Sequence, residues 1–467
     1  MLPSRAKSLR DRLSSASNCQ GRYLWGAGAS VCLADILTGT SLSCSLSRLS
    51  GRSVLVATRD QIAAALALIE LDGTARRVTI CPSDLPYEHF PSVIASAEVD
   101  AIISDSDEIK RHSDVELYVR SSVELARTEQ LSTGTRPTEW VILTSGTTGT
   151  PKLLTHSLSG LTAAIKTQEN SAADFDTVWG TFYDIRRYGG LQVFLRAILG
   201  NGSLVLSSAE EPLGDFLVRL SAHRATHVSG TPSHWRRALM SPLAHEIAPR
   251  YVRLSGEIAD QAILDNLKNF YPHARIVHAY ASTEAGVAFE VTDGLEGFPA
   301  SFVRSGGPVE LKVEDGSLRI RSAGIAGGYL GRGSPPLVDV DGFVDTGDVV
   351  QLRDVRYHFL GRRSGVINVG GLKVHPEEVE AAINRHPKVR SSLVRARKNP
   401  ITGSIVSADV VIEGEFNADG IDQIAMLRRE IIQICQERLA KYKVPATVRF
   451  VSSLEVSATG KLSRHNA

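Results

Sequence analysis

Between residues 20 and 130, short runs of Val, Ile and Leu alternate with longer apolar segments of helical length. RSVLVAT (52–58) is followed by QIAAALALIELDG (61–73), then RVTIC (77–81), and later VDAIISDSDEI (99–109). Short β-branched runs alternating with amphipathic segments predict a parallel sheet with crossover helices. The rhythm continues from 140 to about 290 with WVILT (140–144), a helix after Ser157, GSLVLSS (202–208), a helix near 212–223, THVSG (226–230) and RIVHAY (275–280). VFLRAILGNGSLVL (193–206) is broken by Arg196 and Gly-Asn-Gly, and predicts helix, turn and buried strand rather than a membrane span.

The pattern changes near residue 300. GGPVELKVEDGSLRIRSAGIAGGYLG (306–331) alternates apolar and polar positions around an Asp-Gly pair, a hairpin signal. A small antiparallel sheet or β-barrel-like subdomain is expected over about 300–360, ending in LVDVDGFVDTGDVVQL. After GRRSG (361–365) comes a compact α+β unit: VINVGG, LKVHPEEVEAAINRH, VRSSLVRAR, SADVVIEG, a helix over 421–439, and VRFVSS. The expected fold class is therefore α/β. Residues 1–361 form a large N-terminal domain of α/β subdomains plus the β-rich part. Residues 362–467 form a small mobile α+β lid, with a hinge near 361–365.

At 467 residues the chain exceeds one ordinary core. Hydrophobic residues at 43% and charged residues at 22% are ordinary for a soluble globular protein, and a net charge of +1 gives no general attraction to nucleic acid or anionic membrane. Cys19, Cys32, Cys44, Cys81 and Cys435 show no metal-type pairing, and predict free thiols in a reducing, cytoplasmic setting. The basic start, MLPSRAKSLRDRL, lacks the apolar core of a secretory signal; it predicts a surface helix, with an organellar transit segment as the alternative.

The chemistry concentrates in LTSGTTGTPK (143–152). It fails the Walker spacing, because Gly146 is followed five residues later by Pro151 and Lys152 by Leu153, and it fails the dinucleotide fingerprint too. Glycines nevertheless admit an anion close to the backbone, hydroxyls supply adjustable donors, and a lysine adds a point charge. The alternative is a Ser/Thr/Gly-rich surface turn.

As a string, LTSGTTGTPK resembles the phosphate loop of the adenylate-forming superfamily: acyl-CoA synthetases, peptide-synthetase adenylation domains and luciferases. YASTEAG (280–286), DTGDVV (345–350), GRRSGVINVGGLKVHPEEVE (361–380) and SATGKLSR (457–464) resemble its further motifs in order. The resemblance spans 143–464, and the first 130 residues add only a compatible α/β pattern. It implies an ATP-dependent ligase. A carboxylate attacks the α-phosphorus of ATP, giving an acyl-adenylate and pyrophosphate. A thiol of CoA, or of a carrier protein's phosphopantetheine arm, then displaces AMP.

Carried over residue by residue, the resemblance implies that Thr144, Ser145, Gly146, Thr147, Thr148, Gly149 and Lys152 hold the β- and γ-phosphates. Thr283 would contact the α-phosphate, Glu284 would hold Mg²⁺, and Tyr280 would lie against adenine. Asp348 would take the ribose hydroxyls and Arg362 the ribose or phosphates. Lys461 would bridge the incoming carboxylate and the α-phosphate. The hinge implies that the C-terminal unit rotates between the two half-reactions. Ser364 falls at the pivot, where the family commonly has Asp or Lys, and in the rotated state Gly371 would line a pantetheine tunnel, or simply form a tight turn. Each also has a plainer reading, such as a turn-capping Asp348 or a solvated terminal Lys461.

WGTFYDIRRYGGLQVF (179–194) and HVSGTP (227–232) fall where the family lines the acyl pocket. Tyr183, Tyr188, Gly230 and Ala281, the last in place of the family's usual Gly, are candidate pocket residues. Asp184 would bind a substrate amine, or Arg186 or Arg187 a second carboxylate, unless Asp184 pairs with one of those arginines. The expected function is activation of a carboxylic acid and transfer to CoA, as an acyl- or aryl-CoA ligase. The alternatives are loading of an amino or aryl acid onto a carrier protein acting in trans, and a non-catalytic nucleotide-binding protein.

Overall fold

A computed structural model of the protein describes residues 7–15, 19–112, 114–128, 136–144, 150–165, 177–304, 306–331, 333–399, 403–413, 421–457 and 459–463. The α/β expectation holds. One eight-stranded sheet runs Gly286–Val291, Arg275–Ser282, Tyr251–Ser255, His227–Gly230, Val178–Thr181, Ser203–Leu206, Tyr23–Trp25, Ser30–Cys32. Its interior is parallel and its two edge strands are antiparallel. A second eight-stranded sheet centres on the parallel strands Glu139–Thr144, Arg77–Ile80, Ser53–Val56, Ala101–Ser104 and Leu117–Arg127.

A helical layer joins the sheets through one apolar cluster. Helix Gln61–Leu71 is buried along its whole length, which is why its sequence shows no polar stripe: a helix covered on all sides needs none. Asp60 caps it, accepting from Ile62 N and Ala63 N at 2.6 and 3.0 Å. Helix Tyr188–Leu199, strand Ser203–Leu206 and the Gly200–Gly202 turn between them match the broken-run prediction. The N-terminal helix Leu9–Ser15 corrects the surface-helix expectation. Leu9 and Leu13 are in the core, and Arg10 Nη2 donates to the carbonyls of Ile36 and Gly39 at 2.9 Å each.

The β-rich part is an antiparallel sheet of five strands, in the order Phe298–Pro299, Arg356–Arg362, Val344–Arg353, Ser317–Ser322, Val309–Glu314. Its outer strands do not pair among the described residues, so it is an open sheet and not a barrel. Asp315 and Gly316 turn its hairpin with φ of 51° and 74°, the two positive values a two-residue turn of this type requires.

Beyond the exposed turn Arg363–Gly365, which carries Ser364, lie the hairpin Ile367–Val369/Leu372–Val374, helix Pro376–Ile383, helix Ile421–Arg438, and a sheet of Val389–Asn399, Gly403–Ile412 and Thr447–Phe450 around their own apolar cluster. All five cysteines are free.

Candidate active site

The parallel strands Val178–Thr181, His227–Gly230, Tyr251–Ser255 and Arg275–Ser282 all end toward one cavity of about 660 Å³. This is the edge where an open α/β sheet presents its loops to a ligand, and the volume suits a small organic molecule. Thr144, Lys152, Tyr183, Tyr188, Tyr280, Ala281, Thr283, Glu284, Asp348, Arg362 and Lys461 all line it. They come from both eight-stranded sheets, the five-stranded sheet and the C-terminal unit.

Antiparallel pairing of Glu139–Thr144 with Lys152–Ser157 sets Thr144 opposite Lys152, so both ends of the hydroxyl-rich loop reach the cavity. Ser145, Gly146, Thr147, Thr148 and Gly149 lie outside the described residues. Glu284 sits at the tip of the hairpin joining Arg275–Ser282 to Gly286–Val291, where its carbonyl accepts from Ala326 N at 3.0 Å. Its carboxylate acts electrostatically on Tyr188, Tyr329, Arg362 and Lys461.

Register also sets Asp348 opposite Arg362. Arg362 Nε donates to Asp348 Oδ1 at 3.1 Å, and the Tyr280 hydroxyl donates to Asp348 Oδ2 at 2.5 Å. The Asp348 carboxylate holds the Arg362 guanidinium above its ordinary pKa, while burial and the same carboxylate push the Tyr280 phenol well up. The Tyr280 ring is stacked with Phe359 and Phe289 at 5.5 and 5.6 Å, so it belongs to an aromatic layer beside the polar group rather than standing alone.

Lys461 enters from the C-terminal unit on a turn that the N-terminal domain grips at three points. Thr231 Oγ1 donates to the Gly460 carbonyl at 2.6 Å, Glu257 Oε1 accepts from Leu462 N at 3.0 Å, and the His234 ring lies against Gly460. Thr231 and His234 are already set by a capping box at the start of helix Pro232–Leu239. Burial pushes His234 down to about 4, so its ring stays neutral and its Nδ1 accepts from Thr231 N at 3.1 Å. At Gly256 the φ of 87° asks for glycine, and the Lys461 stem passes at ordinary contact distance, its Cε 3.5 Å from where a β-carbon would lie. Burial, then Arg362, lowers the Lys461 pKa, opposed by Glu257, Asp348 and Glu284. His234 and Glu257 carry no signal in the sequence, and Thr231 only as part of HVSGTP; they meet residues more than 200 positions away.

Several pocket expectations are corrected. Asp184 is not free for a substrate amine: its Oδ1 accepts from Arg186 Nε at 2.8 Å and its Oδ2 from Arg186 Nη2 at 2.7 Å. Arg186 also donates to the Thr58 and Arg59 carbonyls and to Ser83 Oγ, and Arg187 pairs with Asp84 at 2.6 Å, so both arginines are committed to the protein. Gly230 is not on the cavity wall; it makes room for Phe182, whose Cδ2 would be 2.8 Å from a β-carbon there. Gly371, expected at a pantetheine tunnel only after the C-terminal unit rotates, sits in this arrangement on an exposed two-residue turn with φ of 57° at Gly370 and 85° at Gly371, a backbone that asks for glycine. Tyr183 and Tyr188 do form a buried aromatic wall, with the Tyr183 hydroxyl donating to the Ser255 carbonyl at 2.7 Å.

The Asp184–Arg186 pair predicts a stability effect. Asp184→Asn leaves the buried guanidinium uncompensated and is expected to cost about 3 kcal/mol, read from urea unfolding, without changing any preference between amino and other acids.

Comparison with known proteins matches this architecture. At the sequence level, residues 48–330 match the AMP-binding enzyme family and residues 378–461 the AMP-binding enzyme C-terminal domain. A human mitochondrial acyl-coenzyme A synthetase is 25% identical over 361 residues, which is 72% of this chain but 61% of that protein. A 2-succinylbenzoate–CoA ligase of Bacillus velezensis is 24% identical, covering 85% of this chain and 79% of its own. The fold superimposes on that of an anthranilate CoA ligase in complex with anthranoyl-AMP, with a TM-score of 0.79, 18% identity, and coverage of 99% and 96%. With one family model matching well over half of its length and the C-terminal model following in order, the chain belongs to the AMP-binding enzymes of the adenylate-forming superfamily.

Proposed function

We propose that the protein is an AMP-forming acid–thiol ligase, which activates a carboxylic acid with ATP and passes the acyl group to CoA. The observation that carries this reading is the convergence of Lys461, Glu284, Asp348 and Arg362 on one cavity. In the first step a carboxylate oxygen bonds to the α-phosphorus and the bond to the bridging β-phosphate oxygen breaks, releasing pyrophosphate. An anion is attacking a polyanion, so neutralising charge dominates the barrier. Lys461 holds the nucleophile against the α-phosphate, Thr144 and Lys152 take the departing phosphates, and Asp348 takes the ribose. In the second step a thiol sulfur bonds to the acyl carbon and AMP leaves.

Glu284 fits Mg²⁺. Among the described residues no group of three or more His, Cys, Asp or Glu is placed to cage a metal, whereas Mg²⁺ takes one carboxylate and completes its shell with phosphate oxygens and water. When bound, the ion would neutralise phosphate charge.

For the acid, the Tyr183 and Tyr188 wall beside Ala281 supports an aryl or short acyl group, and the loss of Asp184 to Arg186 removes the feature that favoured an amino acid. Pyrophosphate exchange across aryl, fatty, dicarboxylic and amino acids tests this, followed by competition between CoA and a carrier protein as acceptor. No exchange with any acid overturns the reading. Among the described residues no helix is long and apolar enough to cross a membrane.

The lowered pKa of Lys461 predicts a pH dependence. The ammonium is the working form, and burial disfavours it, so it is fully present only below the lowered value and lost as pH rises through it. The kcat/KM for ATP, which reports the free enzyme, is expected to fall on an alkaline limb below the ordinary lysine range. Lys461→Arg, which cannot deprotonate there, lacks that limb at a lower plateau.

A further inference from the structure

The outer part of the same cavity runs between the N-terminal domain and the C-terminal unit, and there a buried ion pair touches both, its Arg236 Nη1 donating to the Arg390 carbonyl of the C-terminal unit at 3.3 Å. Asp260 caps helix Gln261–Phe270, accepting from Ile263 N at 3.0 Å, and takes Arg236 Nη2 on both oxygens at 2.7 and 2.6 Å. Its Oδ2 also accepts from Asn384 Nδ2 at 2.9 Å, across the boundary. Asn384 follows helix Pro376–Ile383, and its Oδ1 accepts from Ser392 Oγ at 2.8 Å, so both ends of the amide are used. Arg236, Asp260, Asn384 and Ser392 are all buried.

The neighbouring residue repeats the contact at lower burial. Arg385 Nη2 donates to Glu296 Oε1 at 3.0 Å, and Glu296 Oε2 accepts from Gln261 N at 3.0 Å. The start of one N-terminal-domain helix is thus held twice by the C-terminal unit.

We propose that Asn384 is a positioning residue: its bond to the Asp260–Arg236 pair fixes the C-terminal unit against the cavity, so that the Gly460 turn reaches its seat and Lys461 reaches the phosphates. This rests on the reading that Lys461 serves the adenylation step. The pair Asp260–Arg236 lies wholly within one domain and exists without Asn384. What Asn384 adds is a charge-assisted hydrogen bond that forms only when the unit is docked. In a buried site such a bond shifts the docked fraction by a factor of ten to a hundred.

Asn384→Asp is the sharpest variant. It keeps the shape but sets a second carboxylate against Asp260, with one arginine for both. In the full chain it is expected to speed deuterium uptake over residues 459–463, whose Leu462 N–H bonds to Glu257 across the boundary, at least tenfold. The strands Val389–Asn399 and Gly403–Ile412 should keep wild-type protection. Pyrophosphate exchange should fall at least tenfold, while thiolysis of a supplied acyl-adenylate is unchanged. Ser392→Ala, which only loosens the amide, should move the same readouts two- to fivefold.

Wild-type uptake at 459–463 in both variants overturns the proposal, as does loss of protection spread across the two strands. Faster uptake at 459–463, in a protein whose wild type exchanges no pyrophosphate with any acid, upholds the docking contact and overturns the ligase reading instead.

Discussion

Lys461→Ala is expected to abolish pyrophosphate exchange, by a factor of at least about 10², while leaving thiolysis of a supplied acyl-adenylate near the wild-type rate. The selectivity follows from placement. Lys461 enters the cavity beside Glu284, Asp348 and Arg362, the charged groups of the nucleotide reading. On the proposed reading an ammonium there stabilises charge as the carboxylate meets the α-phosphate, whereas the thiol step attacks the acyl carbon and transfers no phosphoryl group. The fold should not suffer: burial disfavours the ammonium, so removing it releases a desolvation cost. Equal loss of both half-reactions would sink the assignment of this lysine to the first step.

What could be read from the sequence divides along a physical line. Glu284, Asp348 and Lys461 were legible because each sits in a short stretch whose residue types serve one job, and the structure brings all three to one cavity. The Asp315–Gly316 hairpin was legible for the same local reason. Asp184 stayed ambiguous because a carboxylate beside two arginines looks the same in sequence whether it pairs or waits for a ligand; the structure pairs it with Arg186. Gly230 misled because a glycine spared for the Phe182 ring cannot be told from one spared for a substrate. The helix Leu9–Ser15 looked basic and exposed until Arg10 found two backbone carbonyls in the interior. The seat for the Lys461 turn was invisible, since Thr231, His234 and Glu257 act on residues brought to them only by docking of the C-terminal unit.

That seat yields the second large effect, at a residue with no functional group. Gly460 has φ of 74°, and a β-carbon there would lie 1.9 Å from Cε1 and 2.3 Å from Nε2 of His234. The left-handed backbone alone costs alanine about 1 kcal/mol, so the overlap decides. His234 cannot yield: its ring is stacked with Phe182 at 5.4 Å, edge-on to Tyr183 at 5.7 Å, and fixed by Thr231 N through its Nδ1. The turn must therefore leave, losing the bonds from Thr231 to Gly460 and from Leu462 to Glu257 and taking Lys461 out of the cavity. Gly460→Ala is expected to cut pyrophosphate exchange at least about 10²-fold, close to Lys461→Ala, with urea unfolding shifted by no more than about 1 kcal/mol. In the double variant His234→Ala/Gly460→Ala the overlap is gone, so exchange should recover at least tenfold over Gly460→Ala, even though His234→Ala alone lowers it. Such reversal of sign is what contact between two residues produces and what independent damage does not. Exchange by Gly460→Ala within threefold of wild type would mean that the turn does not need this seat.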